Sequence, residues 1–214
     1  MDRSKIGLVI PAYNEAATIY GVVKAALEYG QPIVVNDCSS DDTAKLAEQA
    51  GAVVVTHQTN LGYDGALNSG FMKAAELDCQ FIITLDADGQ HNPKLIKGFI
   101  EALEDNADMV LGIRSSKPRF SEHLFALVTN KRFGIKDPLC GMKGYSAKVY
   151  DTLGHFDSYQ SIGTELMLFA ASRGFHFTQI FFNVEDRQDA PRFGNSLKAN
   201  AKILKAMVLA RKLL

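Results

Sequence analysis

The 214-residue chain carries 23 Lys and Arg against 24 Asp and Glu, a formal charge of -1, with 47% hydrophobic residues. That balance argues against a dedicated nucleic-acid binder, which shows a basic excess, and leaves ligand attraction to local clusters. The length suffices to bury a core without disulfide or metal staples. Cys38, Cys79 and Cys140 are odd in number and lack zinc spacing, which fits a reducing cytoplasm. The opening MDRSKIGLVIPAYNE passes straight into a strand pattern with no apolar leader. No apolar run approaches the ~18 residues of a membrane span. The expectation is a cytoplasmic protein, soluble or peripheral at the cytoplasmic face of a membrane.

IGLVI (6–10) reads as a buried strand stopped by Pro11, followed by a helix from about 15 to 29 ended by Gly30. IVVND (33–37) is the second strand. Ser39 or Ser40 is placed to cap the next helix, about 41–50, with Asp41 and Asp42 in its first turn. AVVVT (52–56) is a third strand, and a glycine-containing loop NLGYDG leads to a helix over about 64–76. FIITLD (81–86) is the fourth strand, then a helix near 93–104 opening on Pro93, then MVLGI (109–113). Residues 114–140 read as a loop plus a helix at about 120–133. A short strand at 141–146, a helix near 147–153, a helix near 163–173, a strand at 176–184 and a basic amphipathic helix over 195–213 complete the chain. Strand–helix alternation with apolar strands implies a mostly parallel α/β sheet covered by helices on both faces. No linker or repeat divides it. The expectation is one domain over 1–214, with a nucleotide-binding half (1–113), an acceptor-side half (114–194) and a C-terminal helix (195–214).

Ligands of such sheets bind beyond the carboxyl ends of the strands. Tyr13, Asn14 and Glu15 follow the first strand, Asp37 the second, and Asp86 and Asp88 the fourth. DADGQH (86–91) presents two carboxylates two residues apart, with Gln90 as a further oxygen. Mg²⁺ or Mn²⁺ is typically held by one or two carboxylates, with substrate phosphates completing the shell. Taken alone, a D-x-D after a strand is as readily a turn; two other acidic strand ends beside it favour the metal. Tyr13 is suited to lie against a base or ribose, Glu15 to accept from a hydroxyl or amide, and Asp37 to bond a ribose or base. Turn and helix-dipole roles are open to Glu15 and Asp37 as well. Neither G-x-G-x-x-G nor a P-loop occurs. His57, His123, His155 and His176 are scattered; His91 neighbours the metal motif.

PAYNE (11–15), the Asp37 segment with SSDDT, NLGYDGAL and DADGQH, in this order and spacing, resemble the nucleotide-binding half of family-2 glycosyltransferases of the GT-A fold. TNKRFGIKDPLCGMKGYS (129–146) resembles the N-x-x-x-G-x-x-D-x-x-x-G stretch of the dolichol- or polyprenyl-phosphate sugar synthase branch. Arg114, Glu165, Arg187 and the R-F-G-N-S-L-K run at 192–198 extend the likeness along nearly the whole chain. The resemblance implies a metal-dependent, inverting transfer from a UDP- or GDP-linked sugar to a polyprenyl phosphate or a glycan. It implies that Pro11, Tyr13, Glu15, Asp37 and Asp86 contact the nucleotide and that Asp86, Asp88 and Gln90 bind the divalent cation. Asp137, Glu165, Arg114 and Arg187 would be the catalytic set, with Arg192, Ser196 and Lys198 on the acceptor. Two departures stand out. The acidic pair after the second strand is Asn36–Asp37, and the closing R-x-x-G-x-S-K pattern is interrupted by Leu197.

A hydroxyl acceptor needs a carboxylate such as Asp137 or Glu165 to take its proton. A lipid phosphate is already anionic, and then arginines matter more. Lys198, Lys202, Lys205 and Lys212 share one helix face, opposite Leu197, Ile203, Leu204, Met207 and Val208. Such a helix is open to three uses: contact with an anionic membrane surface, docking on its own domain, or a homodimer interface. The rival readings are a nucleotidyltransferase, for which PAYNEAAT lacks a glycine-rich basic loop, and a catalytically silent nucleotide-sugar binder or scaffold with the same fold.

Overall fold

The computed structural model describes residues 2–89, 94–115, 119–183 and 196–213, without the side chain of Ser196. Seven strands form one sheet: β1 (Ile6–Ala12), β2 (Gln31–Asn36), β3 (Val53–Thr56), β4 (Phe81–Thr84), β5 (Met109–Arg114), β6 (Lys143–Ser146) and β7 (Phe177–Phe182). The eight α-helices are α1 (Ile19–Ala26), α2 (Thr43–Ala50), α3 (Gly62–Glu76), α4 (Lys94–Glu104), α5 (Phe120–Phe133), α6 (Ala147–Leu153), α7 (Glu165–Ser172) and α8 (Ser196–Leu209). Strand order is β3-β2-β1-β4-β6-β5-β7.

Side chains alternate across the strands and so divide the core into two layers. Leu8 and Ile10 of β1, Val34 of β2, Ile83 of β4 and Val110 of β5 pack with α1, α2 and α4. Val9, Ile33, Ile82, Met109 and Leu111 face the other way, onto α3 and α5 to α8. This accounts for the near-continuous apolar runs: both faces of the sheet are covered.

The sheet departs from a parallel progression at one place. β6 runs antiparallel between β4 and β5, pairing Thr84 with Lys143 and Leu111 with Lys143. The remaining neighbours are parallel. Three local expectations are corrected. The first helix begins at Ile19, not near 15: Asn14 takes a left-handed backbone (φ 54°), and the N–H groups of Asn14, Glu15 and Ala16 tie this stretch to the Ser39, Thr43 and Asp41 side chains. Ser39 is thereby spent on Asn14, and Asp42 occupies the N-cap of α2. The glycine-containing segment is not a loop: Gly62 and Gly65 lie inside α3. The C-terminal helix docks on its own domain, burying Ala199, Ile203, Ala206 and Ala210 and accepting at Asn200 Oδ1 from the Ser121 hydroxyl of α5 at 2.5 Å.

Candidate active site

The carboxyl ends of β1, β2 and β4 open into a cleft of about 260 Å³. Pro11, Tyr13, Glu15, Asp37, Asp86 and Asp88 all line it, together with Asn60, Gly62 and Tyr63. The parallel register sets this convergence. Pro11 sits beside Val35 and Ala12 beside Asn36, so the chain leaves β1 and β2 at one level, and Val9 pairs with Thr84 of β4.

Two stitched segments form one wall. Asn14 N–H donates to Ser39 Oγ at 2.9 Å, and Ser40 N–H donates back to Asn14 Oδ1 at 2.8 Å. Glu15 is buried, with its N–H donating to Thr43 Oγ1 at 2.7 Å. Tyr13 is 46% exposed, which leaves much of its ring accessible at the cleft. Asp37 is 4% exposed and anchors the start of α3. Its Oδ1 accepts from Leu61 N–H at 2.8 Å and meets His57 Nδ1 at 2.7 Å, while Oδ2 accepts from Gly62 N–H at 2.8 Å. His57 continues through Nε2 to Ser69 Oγ at 2.8 Å. His57, without a pattern in the sequence, is therefore a brace for Asp37. Asn36, in place of a second acid, accepts from Ser39 N–H and closes the turn.

Asp86 and Asp88 project from the segment after β4. Behind Asp86 runs the loop entering β6: Thr84 Oγ1 donates to Gly141 O at 2.6 Å, and a Cβ on Gly141 would lie 2.5 Å from Asp86 Oδ2. A glycine at 141 is what leaves room for the carboxylate. Gly141→Ala is compatible with the backbone, so the fold should survive while Asp86 is pushed aside. We expect metal-dependent donor turnover to fall on the order of 10²-fold with an unchanged unfolding midpoint. Wild-type turnover in this variant would show that Asp86 does not depend on that space.

The acceptor-side carboxylates are found fully engaged. Asp137, 1% exposed, accepts from Arg114 Nε at 2.8 Å, Nη2 at 2.9 Å and backbone N–H at 3.1 Å. Arg114 also reaches Glu122 at 3.0 Å, and Arg119 pairs with Glu122 at 2.8 Å. The facing carboxylates, Asp137 first among them, hold the Arg114 guanidinium firmly protonated despite burial. Glu165 opens α7; its carboxylate accepts from Ser158 Oγ at 2.7 Å and meets His155 Nε2 at 3.2 Å. Lys198 lies exposed on α8. Gln90, Arg187 and Arg192, with His91, lie outside the described residues, as does the Ser196 side chain.

Sequence reasoning missed Asp64 and Lys143, both buried. Asp64 accepts from Ile162 N–H at 3.2 Å and Gly163 N–H at 2.6 Å, and Lys143 Nζ donates to Gly163 O at 2.7 Å. Burial pushes the Lys143 ammonium down to about 8. A lysine within an otherwise apolar or small four-residue strand was the one available signal.

The mixed seven-stranded sheet with its strand-end cleft is the GT-A fold, as likeness to a solved structure shows. Glucosyl-3-phosphoglycerate synthase from Mycobacterium tuberculosis, solved with Mn²⁺, UDP-glucose and phosphoglyceric acid, superposes with a TM-score of 0.78 at 20% identity, over 98% of this chain and 79% of that one. The model described as glycosyl transferase family 2 matches residues 8–153, and the chain belongs to that family. An uncharacterized protein of Methanocaldococcus jannaschii is 36% identical over 148 residues, 68% of this chain and 61% of its own length. The UDP-N-acetylglucosamine–dolichyl-phosphate N-acetylglucosaminyltransferase of Methanococcus voltae is 33% identical over 139 residues, 56% of this chain and 55% of the relative. An undecaprenyl-phosphate mannosyltransferase of Micrococcus luteus is 33% identical over 114 residues, 50% and 46% respectively. The chain thus spans between 46% and 61% of the length of these three relatives.

Proposed function

We propose that the chain transfers a sugar from a UDP- or GDP-linked donor to a polyprenyl phosphate, by single displacement with inversion. The observation that carries this reading is the cleft that gathers Tyr13, Glu15, Asp37, Asp86 and Asp88 at three adjacent strand ends. Tyr13 flanks the base, and Asp37 presents Oδ2, which accepts one backbone N–H, toward the nucleoside. Asp86 and Asp88 suit a hard divalent cation: two carboxylates in one cleft, one of them kept clear by Gly141. Gln90 is the third ligand in this reading. When bound, Mg²⁺ or Mn²⁺ would offset the charge developing on the nucleoside diphosphate.

The choice of a phosphate acceptor rests on Asp137 and Glu165. A sugar hydroxyl needs a carboxylate to take its proton, yet Asp137 is locked to Arg114, and Glu165 is held by Ser158 and His155. A phosphate needs no such base. Its binding falls to Arg187, Arg192, Ser196 and Lys198 in this reading. The names of the Methanococcus and Micrococcus relatives, both lipid-phosphate transferases, support the same acceptor class. Among the described residues no helix is long and apolar enough to cross a membrane. Outside its docked face, α8 exposes Leu197, Leu204 and Val208 beside Lys198, Lys202 and Lys205, which suits contact with an anionic lipid surface.

A thermal-shift series tests the donor side: UDP or GDP should raise the unfolding midpoint, and more so with Mn²⁺. Label transfer from a UDP- or GDP-sugar to polyprenyl phosphate in anionic vesicles tests the acceptor. Lys198→Glu with Lys202→Glu should reduce vesicle binding. Full activity on a soluble glycan without lipid would instead favour the hydroxyl acceptor. Nucleotide binding with no turnover on either would favour the silent binder.

A further inference from the structure

The loop between α6 and α7 is held in a costly conformation. Gln160, Ile162 and Gly163 have φ of 60°, 58° and 67°, in the left-handed region, which a β-branched isoleucine rarely enters. Such strain persists only where surroundings over-determine it, and it clusters at functional sites. Here the surroundings are specific. Asp157 accepts from Gln160 and Ser161 N–H, each at 2.7 Å, and Asn68 of α3 accepts from Phe156 and Asp157 N–H. Asp64, also of α3, takes the N–H groups of Ile162 and Gly163, while Lys143 of β6 takes the Gly163 carbonyl.

We propose that Asp64 and Lys143 are positioning residues, gripping the Gly163 residue at its N–H and its carbonyl so that the loop backs Tyr63 in the cleft. The contact is close: a Cβ at Gly163 would stand 3.2 Å from Tyr63 Cε1 and 3.8 Å from Lys143 Nζ. Tyr63 lines the cleft with Asp86 and Asp88, and Asp86 is the leading charge acting on its phenol. The grip therefore links a strained loop to the wall beside the acidic pair. Placing a buried carboxylate and a buried ammonium on one residue is a high-cost arrangement, since each must be satisfied. Burial, and next the Asp157 carboxylate, push Asp64 above its ordinary pKa, while the N–H groups of Gly163 and Ile162, and last Lys202 of α8, act in the opposite direction. Simple loop closure would not need two buried ionisable groups; fixing both peptide groups that flank the Gly163 Cα against Tyr63 gives each of them a task.

This inference rests on the cleft being the donor site, and the test separates the two. Three variants act on the same residue by different routes: Asp64→Asn, Lys143→Met, and Gly163→Ala, which alters no charge. Amide hydrogen exchange over 160–163 is read on the free protein, Kd for UDP and GDP with Mn²⁺ by titration, and donor hydrolysis or transfer by kcat and KM. Expected are faster exchange in all three and kcat lower by ~10-fold, with nucleotide Kd and donor KM near wild type, the pattern of an interaction lost mainly in the transition state. Asp64→Asn with Lys143→Met should be non-additive, since both act on one residue. If Lys143→Met does not fold, Gly163→Ala and Asp64→Asn still decide the matter. Faster exchange with unchanged kcat would overturn the positioning role, and so would equal losses in Kd and kcat, which mean general damage. A wild-type protein that binds neither nucleotide would sink the donor reading, and this inference with it.

Discussion

Asp86→Ala and Asp88→Ala should each leave a folded protein that has lost metal-dependent turnover by on the order of 10²-fold or more, several kcal/mol in the barrier. The two substitutions remove the carboxylates gathered at the end of β4, where Asp86 is half-buried against Gly141 and Asp88 lies in the same cleft. Two measurements separate a metal role from a structural one. The Mn²⁺-dependent part of the nucleotide thermal shift should vanish in Asp86→Ala, while the metal-independent part, carried by the wall around Tyr13 and Asp37, should persist. If both variants turn over normally, the metal assignment is wrong.

Arg114→Ala should have the largest effect on stability. It strands Asp137, which is 1% exposed, as a buried carboxylate without its guanidinium, and leaves Glu122, 2% exposed, with Arg119 alone. Breaking such a pair on one side costs about 3–5 kcal/mol, and at ~2–4 °C per kcal/mol for a chain of this size the midpoint should fall by on the order of 10 °C. Asp137→Asn keeps the shape, removes the charge, and should cost less. Thermal unfolding of the two variants checks the ranking. A stable Arg114→Ala with abolished turnover would return Arg114 to direct contact with the donor or acceptor.

Much of the strand-end cleft could be read from residues alone, because its signals are local. An apolar run that ends in an acid announces both a strand and what stands at its tip, and the bounds of α5 and α6 follow from nearby pattern breaks. What could not be read depends on partners distant in the chain. Asp37 was legible as an acid at a strand end, but that it also anchors α3 through Leu61 and Gly62 and is braced by His57 was not. KGYS (143–146) looks like any short strand; that it runs backwards between β4 and β5 is set by tertiary pairing. The loop at 160–163 gave no warning, since Gln and Ile are not the residues that advertise a left-handed backbone. Asp137 and Glu165 were legible as acids, but their saturation by Arg114, Ser158 and His155 was not.

The reversed strand β6 bears on how the protein is made. Until residues 143–146 have been synthesised, β4 presents an unpaired edge and β5 has no neighbour linking it to the β1–β4 block. Open edges of this kind are templates for wrong pairing, and a nascent chain exposes them for as long as the missing strand is untranslated. A fragment ending near 113 would hold the cleft-lining residues of β1, β2 and β4 yet lack both the strand that seals the sheet and the glycine beside Asp86. It is expected to aggregate, not to bind nucleotide. The space beside Asp86 and the closure of the sheet thus depend on the same six late-arriving residues, 141–146, so the cleft and the sheet mature together.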